Sequence, residues 1–447
     1  MLAILACWAA PANMASAAER PPNIVFILAD DLGYGDLGCY GQKKIATPHI
    51  DRLAREGMRF TQAYAGSSVC APSRCCLMTG LHNGHGRVRD NIPHGVFLRP
   101  DDVTVAEVLK QAGYQTGAIG KWSLGETGSW GVPNLQGFDY FYGHRNQDQA
   151  HFYYPHYLWE NDKVVLLRGN RGGQLGDYTH DLFTAKGLDF IRRHQDRPFF
   201  LYLAYTVPHF SDYPRKTPEH FIVPSDAPYG DRDWPQQAKN YAAMISRLDG
   251  DVGRIAALID ALGLSENTLI VFSSDNGPYQ GVPTPIEFFD SNGALRGGKR
   301  DLYEGGVRVP LIARWPGHVP RGAVSDHVVA FWDMLPTLAE LAGLAPPKEL
   351  DGLSMAAVLA GRPGPEHEYL YWDYGHTRAR YLQAVRRGKW KGVRNGLDAP
   401  LELYDLERDA AEREDLAKSH GDVVKELLDV MNRAMRPSDA YPSAGRP

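Results

Sequence analysis

An apolar run at residues 23–28 (NIVFIL) stops abruptly at Asp30-Asp31. Its length and β-branched content predict a strand buried on both faces, as in a parallel sheet. Residues 47–56 follow with helical spacing: Thr47 precedes Pro48 at the first helical position, and Ile50, Leu53 and Ala54 fall on one side. The same succession recurs along the chain. A Thr-x-x-Glu capping box (Thr104, Glu107) opens a helix over 104–112, and a short strand over 116–119 runs into Gly120-Lys121-Trp122. A helix over 179–194 leads to a strand over 199–205 that ends at Pro208-His209. Met244, Leu248, Val252, Ile255, Ile259 and Leu262 mark another helix, before a strand over 269–272 that ends at Asp275-Asn276-Gly277. The order strand, helix, strand predicts an α/β fold: a large, mainly parallel sheet sandwiched by helices. Polar residues lie just past the ends of four strands, where ligand sites of such sheets form.

Residues 137–176, rich in Tyr, His, Asn and Gly, show no period and read as loops that could line a cleft. Past residues 361–366 (GRPGPE) the pattern shifts to short strands over 369–374, 381–386, 389–393 and 402–404 and a helix near 422–435. This predicts a smaller C-terminal antiparallel sheet with one helix. The expected division is a catalytic domain over 22–360 and a small α+β subdomain over 366–447. Residues 1–18 carry an apolar run and end in Ala15-Ser16-Ala17, a small-x-small pattern that predicts a signal peptide and export, periplasmic or secreted. That run is too short to span a bilayer, so no stable membrane anchor is expected.

A chain of 447 residues with 43% hydrophobic content can bury a large core. Its net charge of −5 provides no basic field, so no nucleic-acid partner is expected and an anionic substrate needs locally clustered cations. Of five cysteines, Cys7 falls in the leader; Cys39, Cys70, Cys75 and Cys76 are too few for a disulfide framework. Asp30, Asp31, Asp275 and Asn276 form an all-oxygen set suited to a hard divalent cation such as Ca²⁺ or Mg²⁺. No His or Cys set has zinc spacing.

Three motifs give these acids a context: Cys70-Ala71-Pro72-Ser73-Arg74 with Thr79-Gly80 downstream, Gly120-Lys121-Trp122, and Arg296-Gly297-Gly298-Lys299 followed by Glu304-Gly305-Gly306-Val307-Arg308-Val309-Pro310. With them the chain resembles the type I, formylglycine-dependent sulfatases of the alkaline-phosphatase superfamily, from about Pro22 to the C-terminus. The resemblance implies that Cys70 is oxidised by a formylglycine-generating maturation enzyme. It implies one Ca²⁺ held by Asp30, Asp31, Asp275, Asn276 and the modified Cys70. Arg74 would hold the nucleophile, Lys121 and Lys299 would grip sulfate oxygens, and His209 would protonate the leaving alcohol. An aldehyde hydrate suits the task because one hydroxyl can attack sulfur and the other can expel sulfate by C–O cleavage.

One position departs from the family. The block after Gly-Lys-Trp often carries a histidine that assists sulfate release, and here it is Ser123, which is no base near neutral pH. His85, in Gly84-His85-Gly86-Arg87, is the nearest candidate in sequence for that role. Ser123, Arg87, Asn91, Asn146 and Gln147 are expected to bind substrate. Polar residues interleaved with His151, Tyr153 and Tyr154 favour a sulfated saccharide over a steroid. Two other readings use the same residues. A phosphonate or phosphate ester hydrolase of the superfamily would favour a second ligand set, and none is evident. An inactive homologue that binds sulfated glycans is favoured by Ser123 alone.

Overall fold

Every residue of β1 (Asn23–Ala29) is buried, because alternate side chains leave a strand on opposite faces and both faces are covered. The computed structural model describes residues 20–91, 95–212, 220–281, 285–376 and 378–441, so the predicted signal peptide lies outside the described residues. In chain order the large sheet continues with β2 (Met58–Tyr64), β3 (Gln115–Lys121), β4 (Tyr140–His144), β5 (Tyr157–Glu160), β6 (Lys163–Leu166), β7 (Phe199–Ala204), β8 (Thr268–Ser274), β9 (Arg308–Arg314), β10 (Ala323–Ser325) and β11 (Val329–Ala330). Across the sheet the order is β10-β2-β9-β8-β1-β7-β3-β4-β5-β6, with β11 paired to β2. The central strands β8, β1, β7, β3 and β4 run parallel. Antiparallel pairings flank them, β9 on β8 at one side and β5 and β6 beyond β4 at the other.

The alternation in β1 divides the core into two layers. Ile24, Phe26 and Leu28 pack with apolar residues of helices Cys70–Thr79, Val105–Lys110 and Met334–Leu341. Val25, Ile27 and Ala29 pack with those of Pro48–Glu56, Thr179–His194 and Gln236–Ala261. The expected capping box is present: Thr104 Oγ1 accepts from the Glu107 amide at 3.3 Å, and Glu107 Oε2 accepts from the Thr104 amide at 2.8 Å.

The region 137–176 departs from the loop expectation. It contributes β4, β5 and β6, which extend one edge of the sheet. β4 reaches β3 closely because glycine faces glycine: Gly120 is paired with Gly143, and a Cβ on Gly143 (φ +152°) would lie 2.0 Å from the Gly120 carbonyl oxygen.

The small sheet is an antiparallel meander of β12 (Leu370–Tyr374), β13 (Leu382–Arg387), β14 (Trp390–Arg394) and β15 (Leu401–Asp405). Leu427, Val430 and Met431 of helix Gly421–Arg433 cover one face of it. Against the large unit lies a buried charge network. Lys391 Nζ of β14 donates to Glu304 Oε1 at 2.8 Å and lies 3.1 Å from Glu412 Oε1, with all three side chains at 0% exposure. Glu304 Oε2 also accepts from the Tyr64 hydroxyl of β2 at 2.7 Å and from Arg308 at 3.2 Å. Burial alone would raise the Glu304 carboxyl, but Lys391 and then Arg308 hold it down to about 2.

Removing one partner of a buried ion pair leaves its counter-charge uncompensated. Lys391→Met is therefore expected to destabilise the protein by about 3–5 kcal/mol in a denaturant titration. Lys389→Met, which breaks a partly exposed pair with Asp405, should cost at most about 1 kcal/mol. Equal effects of the two substitutions would contradict this account.

Candidate active site

Because the central strands are parallel, their carboxyl ends open on one side, and the polar residues that follow them meet there. β1 delivers Asp30 and Asp31, and β8 delivers Asp275 and Asn276; Ala29 pairs with Ser274, so the two dipeptides emerge side by side. The Asp31 amide donates to Asp275 Oδ1 at 3.2 Å, and Asn276 Nδ2 donates to Asp31 Oδ1 at 2.8 Å. Asp31 itself holds a left-handed backbone, φ +64°. β3 ends in Lys121, and the segment after β7 carries His209.

Cys70 is the first residue of the fully buried helix Cys70–Thr79, and its thiol donates to Asp30 Oδ1 at 3.3 Å. Asn91 Oδ1 accepts from the Ala71 amide at 3.0 Å and so caps the start of that helix. One turn along, Arg74 donates to Asp275 Oδ2 from Nε at 3.1 Å and Nη2 at 2.7 Å, and from Nη1 to the Lys121 carbonyl at 2.8 Å. The glycine-rich block brings in Lys299. The Arg300 amide donates to the Ser68 carbonyl at 2.9 Å beside the helix start, and a Cβ on Gly277 would lie 1.9 Å from the Gly305 carbonyl oxygen. Only glycine permits that approach.

Each lysine holds one aspartate and one histidine. Lys121 Nζ donates to Asp30 Oδ2 at 2.7 Å and to His151 Nε2 at 3.1 Å. Lys299 Nζ donates to Asp31 Oδ2 and to His209 Nε2, both at 2.8 Å. The two imidazoles stack, with centroids 3.8 Å apart and planes 13° apart. Donor atoms of Cys70, His151 and His209 lie within 4.8 Å of one another, as do those of Asp30, Asp31, Cys70 and His209. His151 was expected only among the residues that favour a saccharide substrate, not at the catalytic centre. It follows β4 at the end of a 3₁₀ turn, Gln149–His151, and its Nδ1 donates to Asp212 Oδ2 at 2.5 Å.

Electrostatics follow from burial. Three carboxylates and three cations lie here, none more than 6% exposed. Burial, then the neighbouring Asp30, push Asp275 up to about 7. Burial opposes the charge on Lys299, yet Asp31 keeps its ammonium above the usual lysine range. Burial and the Asp30 carboxylate push the Cys70 thiol up to about 12, so unmodified Cys70 is a neutral thiol and a poor nucleophile. Burial and then His209 and Lys121 hold His151 well below the imidazole range, while burial brings His209 down to about 4. Asn276 Oδ1 is buried with no hydrogen-bond partner among the described residues. Three converging carboxylates and that orphaned amide oxygen fit a hard divalent cation.

The other expected residues fall into two places. Asn91, Ser123, Asn146 and Gln147 line a cavity of about 90 Å³ that reaches Ala71. Ser123 there has φ +69°, and its Oγ is buried without a partner among the described residues. Arg87 is not part of that lining. Nor does His85 join the donors around Cys70: its Nδ1 donates to Asp351 at 2.8 Å, and its ring stacks on His82 with centroids 4.1 Å apart. Asp351 therefore anchors it in a separate cluster.

These features can be set beside known proteins. Residues 22–344 match the family model described as Sulfatase, and residues 297–436 match N-sulphoglucosamine sulphohydrolase, C-terminal. Arylsulfatase A of Homo sapiens is 35% identical, covering 93% of this chain and 87% of its own. An N-acetylgalactosamine-6-O-sulfatase of Bacteroides thetaiotaomicron is 32% identical over 92% of this chain and 93% of its own. The crystal structure of Ps i-CgsB in complex with k-i-k-neocarrahexaose superposes with a TM-score of 0.80, at 30% identity, over 95% of this chain and 94% of that one. By its α/β sandwich and by these matches along nearly its whole length, the chain belongs to the sulfatase family, of alkaline-phosphatase-like fold, and is a sulfuric ester hydrolase.

Proposed function

We propose that the protein hydrolyses sulfate monoesters of a carbohydrate with residue 70, oxidised from cysteine to formylglycine, as its nucleophile and Ca²⁺ as its metal. The observation that carries this reading is the convergence of two buried Asp–Lys pairs, Asp30–Lys121 and Asp31–Lys299, on Cys70. Asp30, Asp31, Asp275, Asn276 and residue 70 would hold the cation. Hydrated formylglycine supplies paired hydroxyls, and the cation supplies the Lewis acidity that makes such a hydroxyl nucleophilic at neutral pH.

The remaining work falls to the chain's own side chains. Lys121 and Lys299 bind the sulfate oxygens and stabilise the charge that gathers there in the transition state. Arg74, locked between Asp275 and the Lys121 carbonyl, fixes the helix start and offsets the local negative charge. His209 donates Nδ1–H to the Phe210 carbonyl, which turns Nε2 toward the site; as the imidazolium, 3.4 Å from Asp31 Oδ2, it would give the Nε2 proton to the departing alcohol oxygen. Cys70 is fully buried, so a formylglycine-generating enzyme must reach it before the fold closes. The cavity beside Ala71, lined by Asn91, Ser123, Asn146 and Gln147, supports a polar, saccharide substrate. The names of the N-acetylgalactosamine-6-O-sulfatase and the neocarrahexaose complex support the same class. The leader expected over 1–18 supports an exported protein; among the described residues no helix is long and apolar enough to cross a membrane.

Two measurements test this reading. Protein co-expressed with a formylglycine-generating enzyme should release sulfate from members of a panel of defined sulfated saccharides, and Cys70→Ala should lower kcat by about three orders of magnitude or more. A Cys70→Ala variant with full activity, or faster cleavage of an aryl phosphonate than of the matched sulfate, would refute it. Metal analysis should find one calcium per chain, lost with activity on chelation and restored by added Ca²⁺; Asn276→Ala should weaken the metal by about 10-fold or more. Full activity in the metal-free protein would remove the cation from the proposal.

A further inference from the structure

Sulfate release needs a base close to residue 70, and neither Ser123 nor His85 can serve. Ser123 is a hydroxyl with no partner among the described residues to activate it, and His85 lies in a separate cluster with His82 and Asp351, outside the donors that gather around Cys70. Among the described residues, the donors gathered within 4.8 Å around Cys70 include two imidazoles, His209 and His151. His209 is committed to the Asp31–Lys299 side.

We infer that His151 is the catalytic base of the release step, an assignment that rests on the sulfatase reading above. Four features carry it. His151 Nδ1–H is donated to the Asp212 carboxylate at 2.5 Å, which fixes the tautomer and leaves the Nε2 lone pair facing the centre. The Ser211 hydroxyl donates to the His151 carbonyl at 2.8 Å and anchors the backbone of the turn. The ring is stacked flat on His209, so it cannot swing away without losing that contact. Lys121 Nζ, which meets Nε2 at 3.1 Å, is the same ammonium that grips sulfate, so an arriving sulfate draws it off and frees the lone pair.

After the alcohol has left, residue 70 carries one free hydroxyl and one oxygen bonded to sulfur. His151 Nε2 takes the proton of the free hydroxyl, and the O–H electron pair becomes the second C–O bond of the aldehyde. The carbon–oxygen bond to the sulfo group breaks, and its electron pair leaves with sulfate dianion. Water then adds to the aldehyde, and the imidazolium gives its proton to solvent. The sum is one ester and one water converted to one alcohol, one sulfate and one proton. Gln147, whose Nε2 lies 3.4 Å from His151 Nε2, is a positioning residue for this ring.

The test uses matured full-length protein and 4-nitrophenyl sulfate. For His151→Gln and His151→Ala, both checked for the wild-type melting temperature, a burst of one nitrophenol per active site should persist. Steady-state turnover should fall by about 100-fold or more, and mass spectrometry should find a sulfo group retained on the residue-70 peptide. Added imidazole should restore turnover in His151→Ala. The near-isosteric glutamine carries the test if alanine unfolds the site. Wild-type turnover in His151→Gln would overturn the assignment. So would loss of the burst together with turnover and no retained sulfo group, which would move His151 to the first step. A wild-type protein with no aldehyde at residue 70 and no burst would instead sink the underlying sulfatase mechanism.

Discussion

The structure turns on a charge balance at the carboxyl end of its sheet. Asp30, Asp31 and Asp275 are buried within one site, a state that isolated carboxylates do not tolerate. Arg74, Lys121 and Lys299, equally buried, make it possible, and each cation is itself held charged by an aspartate it touches. Most of the architecture serves this balance. The pairing of Ala29 with Ser274 sets the acids side by side. The helix Cys70–Thr79 points Arg74 at Asp275 from the layer on one face of the sheet. Glycine at 120 lets β3 close on β7, with Lys121 as its next residue. The three cations offset the three carboxylates, so a divalent cation held among them would leave the site net positive and able to take a monoanionic sulfate ester without a basic surface around it.

The strands that carry the acids were legible in the sequence because burial on both faces leaves unbroken apolar runs, and a paired Asp at the end of such a run stands out. The helices were legible through caps such as Thr104 and Glu107, and the small sheet through its even spacing. β4, β5 and β6 were not. Each is four or five residues long, and Tyr140, Gly143 and His144 interrupt any alternation. A local signal did exist at the β5–β6 hairpin, where Asn161-Asp162 forms a two-residue turn with Asn161 at φ +51°. The same blind spot hid the place of His151, legible only as a polar residue of a substrate-lining stretch. It is separated from Lys121 by 30 positions and is brought to the centre only because β4 pairs with β3 and returns the chain over the site. His85 was nearer to Cys70 in sequence, yet Asp351, 266 positions away, decides where it points.

The two histidines that the fold stacks together are not equivalent, and the difference lies in what holds Nδ1. For His209 it is the Phe210 carbonyl, a neutral acceptor; for His151 it is the Asp212 carboxylate. A carboxylate stabilises an imidazolium more than a carbonyl does, so Asp212 works against the burial and the neighbouring charges of His209 and Lys121 that hold His151 below the imidazole range. The stack itself reinforces the division, because two imidazolium rings 3.8 Å apart repel each other and only one can be charged at a time. A proton given up by His209 in the first half of the reaction removes that repulsion and prepares His151 to accept one in the second. The order of the two proton transfers is thus built into the pair, and the serine at position 123 ceases to be a deficit: the histidine that completes the cycle enters from the 3₁₀ turn after β4.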